Sequence, residues 1–119
     1  MMTQLSIHAA PPDAVQAVKA YVREECYGEE SAQTKLEIAK GVGIPVRDVE
    51  RHVKAARILQ NAPIVSGSPG YWWPTHEREI RACRHLLWRH IIEQMRTVRA
   101  LEHAELDMAG QRHILGGTR

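Results

Sequence analysis

Apolar residues repeat at helical spacing in four stretches of the chain, and one further stretch reads as strands around a turn. Val15, Val18 and Val22, with Cys26 one turn later, give a buried face to a first helix. That helix opens at Pro11-Pro12-Asp13 and ends near Tyr27-Gly28, with Asp13 as the expected N-cap and Gln16 completing a capping box. Glu29 to Gln33 is a polar connector, and Thr34 is placed to cap a second helix carrying Ile38 and Ala39. Gly43 falls where the chain must reverse, because glycine takes a positive φ without a Cβ penalty. Pro45 follows at the expected first position of a third helix that runs to about Leu59, with Val49, Val53 and Ala56 inward.

Ala62 to Pro74 changes the pattern. Ile64-Val65 and Tyr71-Trp72-Trp73 are β-branched and aromatic, and Ser66-Gly67-Ser68-Pro69-Gly70 between them is turn chemistry, so a short hairpin is expected. Strand alternation puts Tyr71 and Trp73 on one face and Trp72 on the other, with one face against the core and the other open to a partner. From Thr75, the expected N-cap, to about Met108 the pattern predicts one long helix ended by Gly110, with Glu77 and Glu79 at its positive end. Residues 1–10 read as a frayed lead-in and 109–119 as a flexible tail. Along the long helix Ile80, Cys83, Leu87, Ile91, Met95, Val98 and Leu101 are spaced 3, 4, 4, 4, 3 and 3 apart, close to the period of a coiled-coil seam. Leu87, Ile91, Met95, Val98 and Leu101 are therefore the expected dimer interface. The opposite side carries Arg78, His85, Arg89, Arg96 and His103, read either as a solvated face or as a stripe tracking a nucleic-acid backbone.

The order helix, helix-turn-helix, hairpin over residues 12–74 resembles the winged helix-turn-helix family of DNA-binding proteins. Within it the layout is similar to small phage and prophage proteins in which a glycine-rich wing ending in aromatics leads into a long helix. The resemblance implies a mainly α fold with a small β-hairpin: a winged domain over residues 1–74, then a long C-terminal helix over 75–108 for packing and dimerisation. It implies sequence-specific binding of double-stranded DNA by a regulator of transcription or replication, in the cytoplasm and associated with the nucleoid. Val46, Arg47, Glu50, Arg51 and Lys54 are the outward positions of the third helix, the ones that meet DNA when such a helix enters the major groove. Arg47 and Arg51 suit bidentate reading of guanine, and Glu50 either accepts from cytosine or orients an arginine. Lys35, Lys40 and Lys54, with Ser66 and Ser68 of the wing, are candidate phosphate contacts, and Arg57 completes the candidate DNA-binding set. His52 departs from the family by standing at a usually apolar position, and the wing carries no lysine or arginine.

Charge adds weight to that reading only through its distribution. The net charge is +2, but residues 33–60 hold Lys35, Lys40, Arg47, Arg51, Lys54 and Arg57 against Glu37, Asp48 and Glu50, a net of +3. Residues 1–32 hold Lys19 and Arg23 against Asp13, Glu24, Glu25, Glu29 and Glu30, a net of −3. The basic excess sits where a phosphate backbone selects it. A chain of 119 residues that is 44% hydrophobic and 25% charged fits one globular domain. No apolar run approaches the roughly 18 residues of a membrane span. Cys26 and Cys83 read as buried reduced thiols rather than a disulfide framework.

Seven histidines raise the question of a metal, but a helical pair such as His103 with Asp107 supplies only two ligands, so no metal or cofactor is expected. No phosphate loop, nucleophile elbow or paired-carboxylate motif points to an enzyme. The weak total charge and uncharged wing keep open a second class of function, an adaptor or inhibitor that uses the same scaffold against a host protein.

Overall fold

The computed structural model describes residues 10–116, which form α1 (Pro12–Glu25), a 3-10 turn (Glu29–Ser31), α2 (Lys35–Val42), α3 (Val46–Gln60), β1 (Val65–Gly67), β2 (Gly70–Trp72) and α4 (Glu77–Gly116). The chain is mainly helical, with a small two-stranded antiparallel hairpin and a long C-terminal helix, as the apolar pattern predicts. Residues 1–9 of the expected frayed lead-in and residues 117–119 of the expected tail lie outside the described residues, while Ala10 is buried in the core rather than frayed. Two compact units divide between Cys83 and Arg84, so the start of α4 belongs to the first unit.

Each helix of the first unit is made by local rules and held by burial. α1 turns Val15, Val18 and Val22 inward, and each such side chain contributes on the order of 1.5–3 kcal/mol when removed from water. Its start corrects the sequence expectation. Pro11 is the N-cap and Pro12 the first helical residue, without a side-chain cap bond, so Asp13 falls in the first turn and no capping box forms with Gln16. The fixed φ of proline and its missing N–H suit the first position, and they start the helix before Asp13 can cap it. α2 does have its capping box. Glu37 N–H donates to Thr34 Oγ1 at 3.3 Å, and Thr34 N–H donates to Glu37 Oε1 at 2.9 Å.

Gly43 ends α2 in the left-handed region at φ 84°, and its N–H donates to Ala39 O. Pro45 then stands at the N-cap of α3 with an extended ψ of 140°, one position before the helical place expected for it. α3 buries Val49, His52, Val53, Ala55 and Ala56 against α1 and α2. His52 keeps its inward place because its Nδ1 pairs with Asp48 O one turn back, so the buried ring is not left unsatisfied. Asn61, at φ 51°, closes α3.

The hairpin departs furthest from its pattern. β1 and β2 pair Val65 with Trp72, Ser66 with Tyr71 and Gly67 with Gly70. The other edge of β2 is also paired: Gln33 N–H donates to Tyr71 O at 3.0 Å and Tyr71 N–H to Gln33 O at 2.8 Å. One step further along, Trp73 N–H donates to Cys26 O and Gly28 N–H to Trp73 O. β2 therefore runs between β1 and the segment joining α1 to α2. This placement corrects the expectation of one buried and one open face, because Tyr71 and Trp72 are both buried. Trp73 is half-buried, with the Arg23 guanidinium 5.9 Å from its ring centroid.

α4 also differs from expectation at both ends. It begins at Glu77 and continues through Gly110 to Gly116, so residues 109–116 are helical and Gly110 is not the stop. A glycine within a helix costs only about 1 kcal/mol relative to alanine, and Gln111 and Arg112 beyond it are good helix formers. At 1.5 Å per residue its 40 residues span about 60 Å.

Gly70 is the position least able to accept a side chain. Its φ is +123°, and an added Cβ would lie 2.2 Å from Gln33 O. Gly70→Ala should lower the stability of the first unit by about 1–3 kcal/mol in urea unfolding, a cost set by the strained φ and the lost pairing with Gln33. A second expectation concerns the thiols. Burial first, then the charges of Glu25 and Glu37, pushes the Cys26 thiol up to about 11, while Cys83 is half-buried. Folding stability linked to the Cys26 proton is fully present below its ordinary range of about 8.5 and lost as pH rises through about 11. At about pH 8 iodoacetamide should label Cys83 and spare Cys26, whose labelling appears only in denaturant; mass spectrometry of the two peptides checks this.

Candidate nucleic-acid interface

The buried residues of α3 fix which of its side chains point outward. With Val49, His52, Val53 and Ala56 inside, Val46, Arg47, Glu50 and Lys54 are exposed and Arg51 is half-buried. At 100° per residue Arg47, Arg51 and Lys54 fall within about 60° of one another around the helix axis. Arg47 and Lys54 form no ion pair among the described residues. Arg51 is held in place, with its Nη2 3.3 Å from Asp48 Oδ1, one turn toward the N-terminus. Its Nε is buried and has no hydrogen-bond partner among the described residues.

Glu50 does not orient an arginine. Its carboxylate takes a 2.9 Å bond from Lys35 Nζ, joining the start of α2 to α3. That hydrogen bond is the largest cause both of the lowered Glu50 carboxyl pKa and of the raised Lys35 ammonium pKa. Both side chains are largely exposed, so the pair adds little to stability. Its consequence is local: one cation of the candidate face is neutralised within the protein.

Arg57 and Ser66 are also engaged internally. Arg57 Nε donates to Ile64 O at 2.8 Å and its Nη2 to Ser66 Oγ at 3.2 Å, tying the last turn of α3 to the first strand. Ser66 Oγ in turn lies 3.9 Å from Cys83 Sγ. Lys40, on the last turn of α2, and Ser68, at the hairpin tip, are exposed and hydrogen-bond to none of the other candidates. The side-chain contacts among the ten candidates thus form two separate pairs, Lys35 with Glu50 and Arg57 with Ser66. Arg47, Arg51 and Lys54 share a helix face and form no hydrogen bond with one another.

The carboxylate of Glu79 is the feature that the sequence reading passed over. One oxygen accepts from Trp72 Nε1 at 2.9 Å. The other accepts from Thr75 N–H at 3.0 Å, Thr75 Oγ1 at 3.1 Å and His76 N–H at 2.9 Å. Thr75 is therefore not the cap of α4. His76 takes that role, its Nδ1 accepting from Arg78 N–H at 3.1 Å. Glu79 then stands three residues past the cap, where a glutamate reaches back to the cap N–H. The local signal is His76-x-x-Glu79: with Thr75 as the cap Glu79 falls one position out of register, and with His76 it falls in register.

On the second unit, Leu87, Ile91, Met95, Val98 and Leu101 are all exposed in the single chain. Of the opposite basic stripe, Arg96 pairs with Glu93 at 3.0 Å, both side chains well exposed. Among the described residues no group of three or more His, Cys, Asp or Glu side chains is arranged to hold a metal. No helix of the described residues is long and apolar enough to cross a membrane.

The Glu79 cluster has a pH signature. Its carboxyl pKa is lowered, first by the Trp72 bond and then by the Thr75 and His76 donors. A lowered folded pKa means stability present above the ordinary carboxylate value of about 4.3 and lost as pH falls through the lowered one. Glu79→Gln should therefore be less stable than the natural chain near about pH 6, and the difference should shrink toward about pH 3. Urea unfolding followed by tryptophan fluorescence at the two pH values checks this. A scan against protein-family models, a search of the curated proteins and a search of the solved structures each find no match to this chain.

Proposed function

We propose that the first unit is a winged helix-turn-helix domain that binds double-stranded DNA, and that the protein is a phage or prophage regulator of transcription or replication. The observation that carries this reading is the solvent face of α3, where Arg47 and Lys54 flank the half-buried Arg51 on one side of the helix. Such a face, on the second of two helices joined by a tight turn, suits docking in the major groove. Arg47 and Arg51 are the base readers, and Asp48 holds the Arg51 guanidinium in a set direction before DNA arrives. Lys40 and Lys54 supply phosphate contacts. Lys35 contributes once a phosphate displaces Glu50, and Ser68 reaches a phosphate from the hairpin tip. Arg57 and Ser66 act indirectly, by holding the hairpin on α3.

A second reading, a protein-binding adaptor on the same scaffold, is favoured by one observation. Leu36 at the start of α2 and Val46 at the start of α3 are both about half exposed. Apolar groups beside a basic face suit a protein surface as well as a groove.

Fluorescence anisotropy on random duplex DNA at two salt concentrations separates the two. Binding that weakens steeply with salt is the expected result, and Lys54→Ala should weaken all sequences alike and reduce the salt slope by about 1. At a selected site Arg51→Ala should cost about 1–3 kcal/mol and relax discrimination at one base pair. Absence of binding at low salt sinks the DNA reading and leaves the adaptor.

A further inference from the structure

The apolar stripe of α4 beyond Cys83 is closed at each end by a charge of opposite sign. Leu87, Ile91, Met95 and Val98 lie within about 80° of one another around the helix, and all four are exposed in the single chain. Arg84 precedes the stripe and Glu102 follows it. The two are 18 residues apart, about five helical turns, so they stand on the same side of the helix as the stripe. Neither forms an ion pair within the chain among the described residues.

We infer that a second copy of this chain covers the stripe with its own α4, running antiparallel and crossing level with residue 93. This inference does not rest on DNA binding. In that register Leu87 meets the partner's Val98, and Ile91 meets the partner's Met95. Two-fold symmetry repeats both layers on the other side of the crossing. Arg84 then faces the partner's Glu102 at each end, and the two ion pairs bracket the apolar layers. A parallel pairing covers the same apolar residues but sets Arg84 against Arg84 and Glu102 against Glu102. Like charges held opposite one another disfavour that arrangement. The distribution of charge thus selects both the partner and its direction: a helix with arginine at one end of its stripe and glutamate at the other is complementary to itself only when reversed.

Sedimentation equilibrium of the full chain at micromolar concentration, under reducing conditions and without DNA, is expected to give twice the 13.5 kDa chain mass. Val98→Glu should give a monomer with unchanged far-ultraviolet circular dichroism, because the Val98 side chain is more than half exposed in the single chain. Arg84→Glu should weaken the dimer about tenfold by turning two attractions into repulsions, and adding Glu102→Arg should restore it. A monomeric mass for the natural chain, an assembly larger than two chains, or a dimer that survives Val98→Glu overturns the proposal. A dimer whose affinity Arg84→Glu leaves unchanged overturns its antiparallel direction.

Discussion

Backbone pairing on both edges of β2 is the constraint on which the first unit depends. A strand of three residues paired with one neighbour is marginal in water. Here the second edge is taken by Gln33, Cys26 and Gly28, which belong to the segment between α1 and α2. The hairpin is thereby fixed to the helices by main-chain hydrogen bonds, whatever its side chains do. Gly70 has to be glycine because the Gln33 carbonyl occupies the place of a Cβ. Tyr71 and Trp72 are both buried because neither face of the strand is left open.

Side-chain ties extend the same frame. Arg57 connects the last turn of α3 to Ile64 and Ser66, and Glu79 connects Trp72 to the first turn of α4. Each is a charged group bonded to neutral donors or acceptors, which is stronger than a neutral pair and directional. They tie the hairpin to the last turn of the third helix on one side and to the first turn of the fourth on the other. On that face charge is partly neutralised internally, Lys35 by Glu50 and Arg51 by Asp48, while Arg47 and Lys54 keep theirs.

The two units are built on different principles. In the first, Val18, Val22, Ile38, Val49, Val53 and Val65 close a core within one chain. In the second, Leu87, Ile91, Met95, Val98 and Leu101 carry as regular an apolar pattern along one helix and stay exposed in the single chain. Periodicity reports that a face is apolar, and only the surroundings tell whether its cover comes from the same chain.

What the amino-acid sequence determined by itself is therefore local. The four helices, the Thr34 cap, the Gly43 turn and the short hairpin were legible because each depends on residues within a few positions of one another. The outward positions of α3 were legible too, since the apolar residues of one helix define its opposite face. Tertiary structure decided what depends on groups far apart in the chain. Tyr71 pairs with Gln33, Lys35 with Glu50, Arg57 with Ile64, and Trp72 with Glu79 across a bend. No spacing rule announces such partners, because a hydrogen bond needs only the right distance and direction, and the fold as a whole sets both. Helix ends fell between the two cases. Pro12 and His76 shift the starts of their helices by one or two residues, and Gly110 costs only about 1 kcal/mol within α4, so these boundaries are decided by context rather than by residue type.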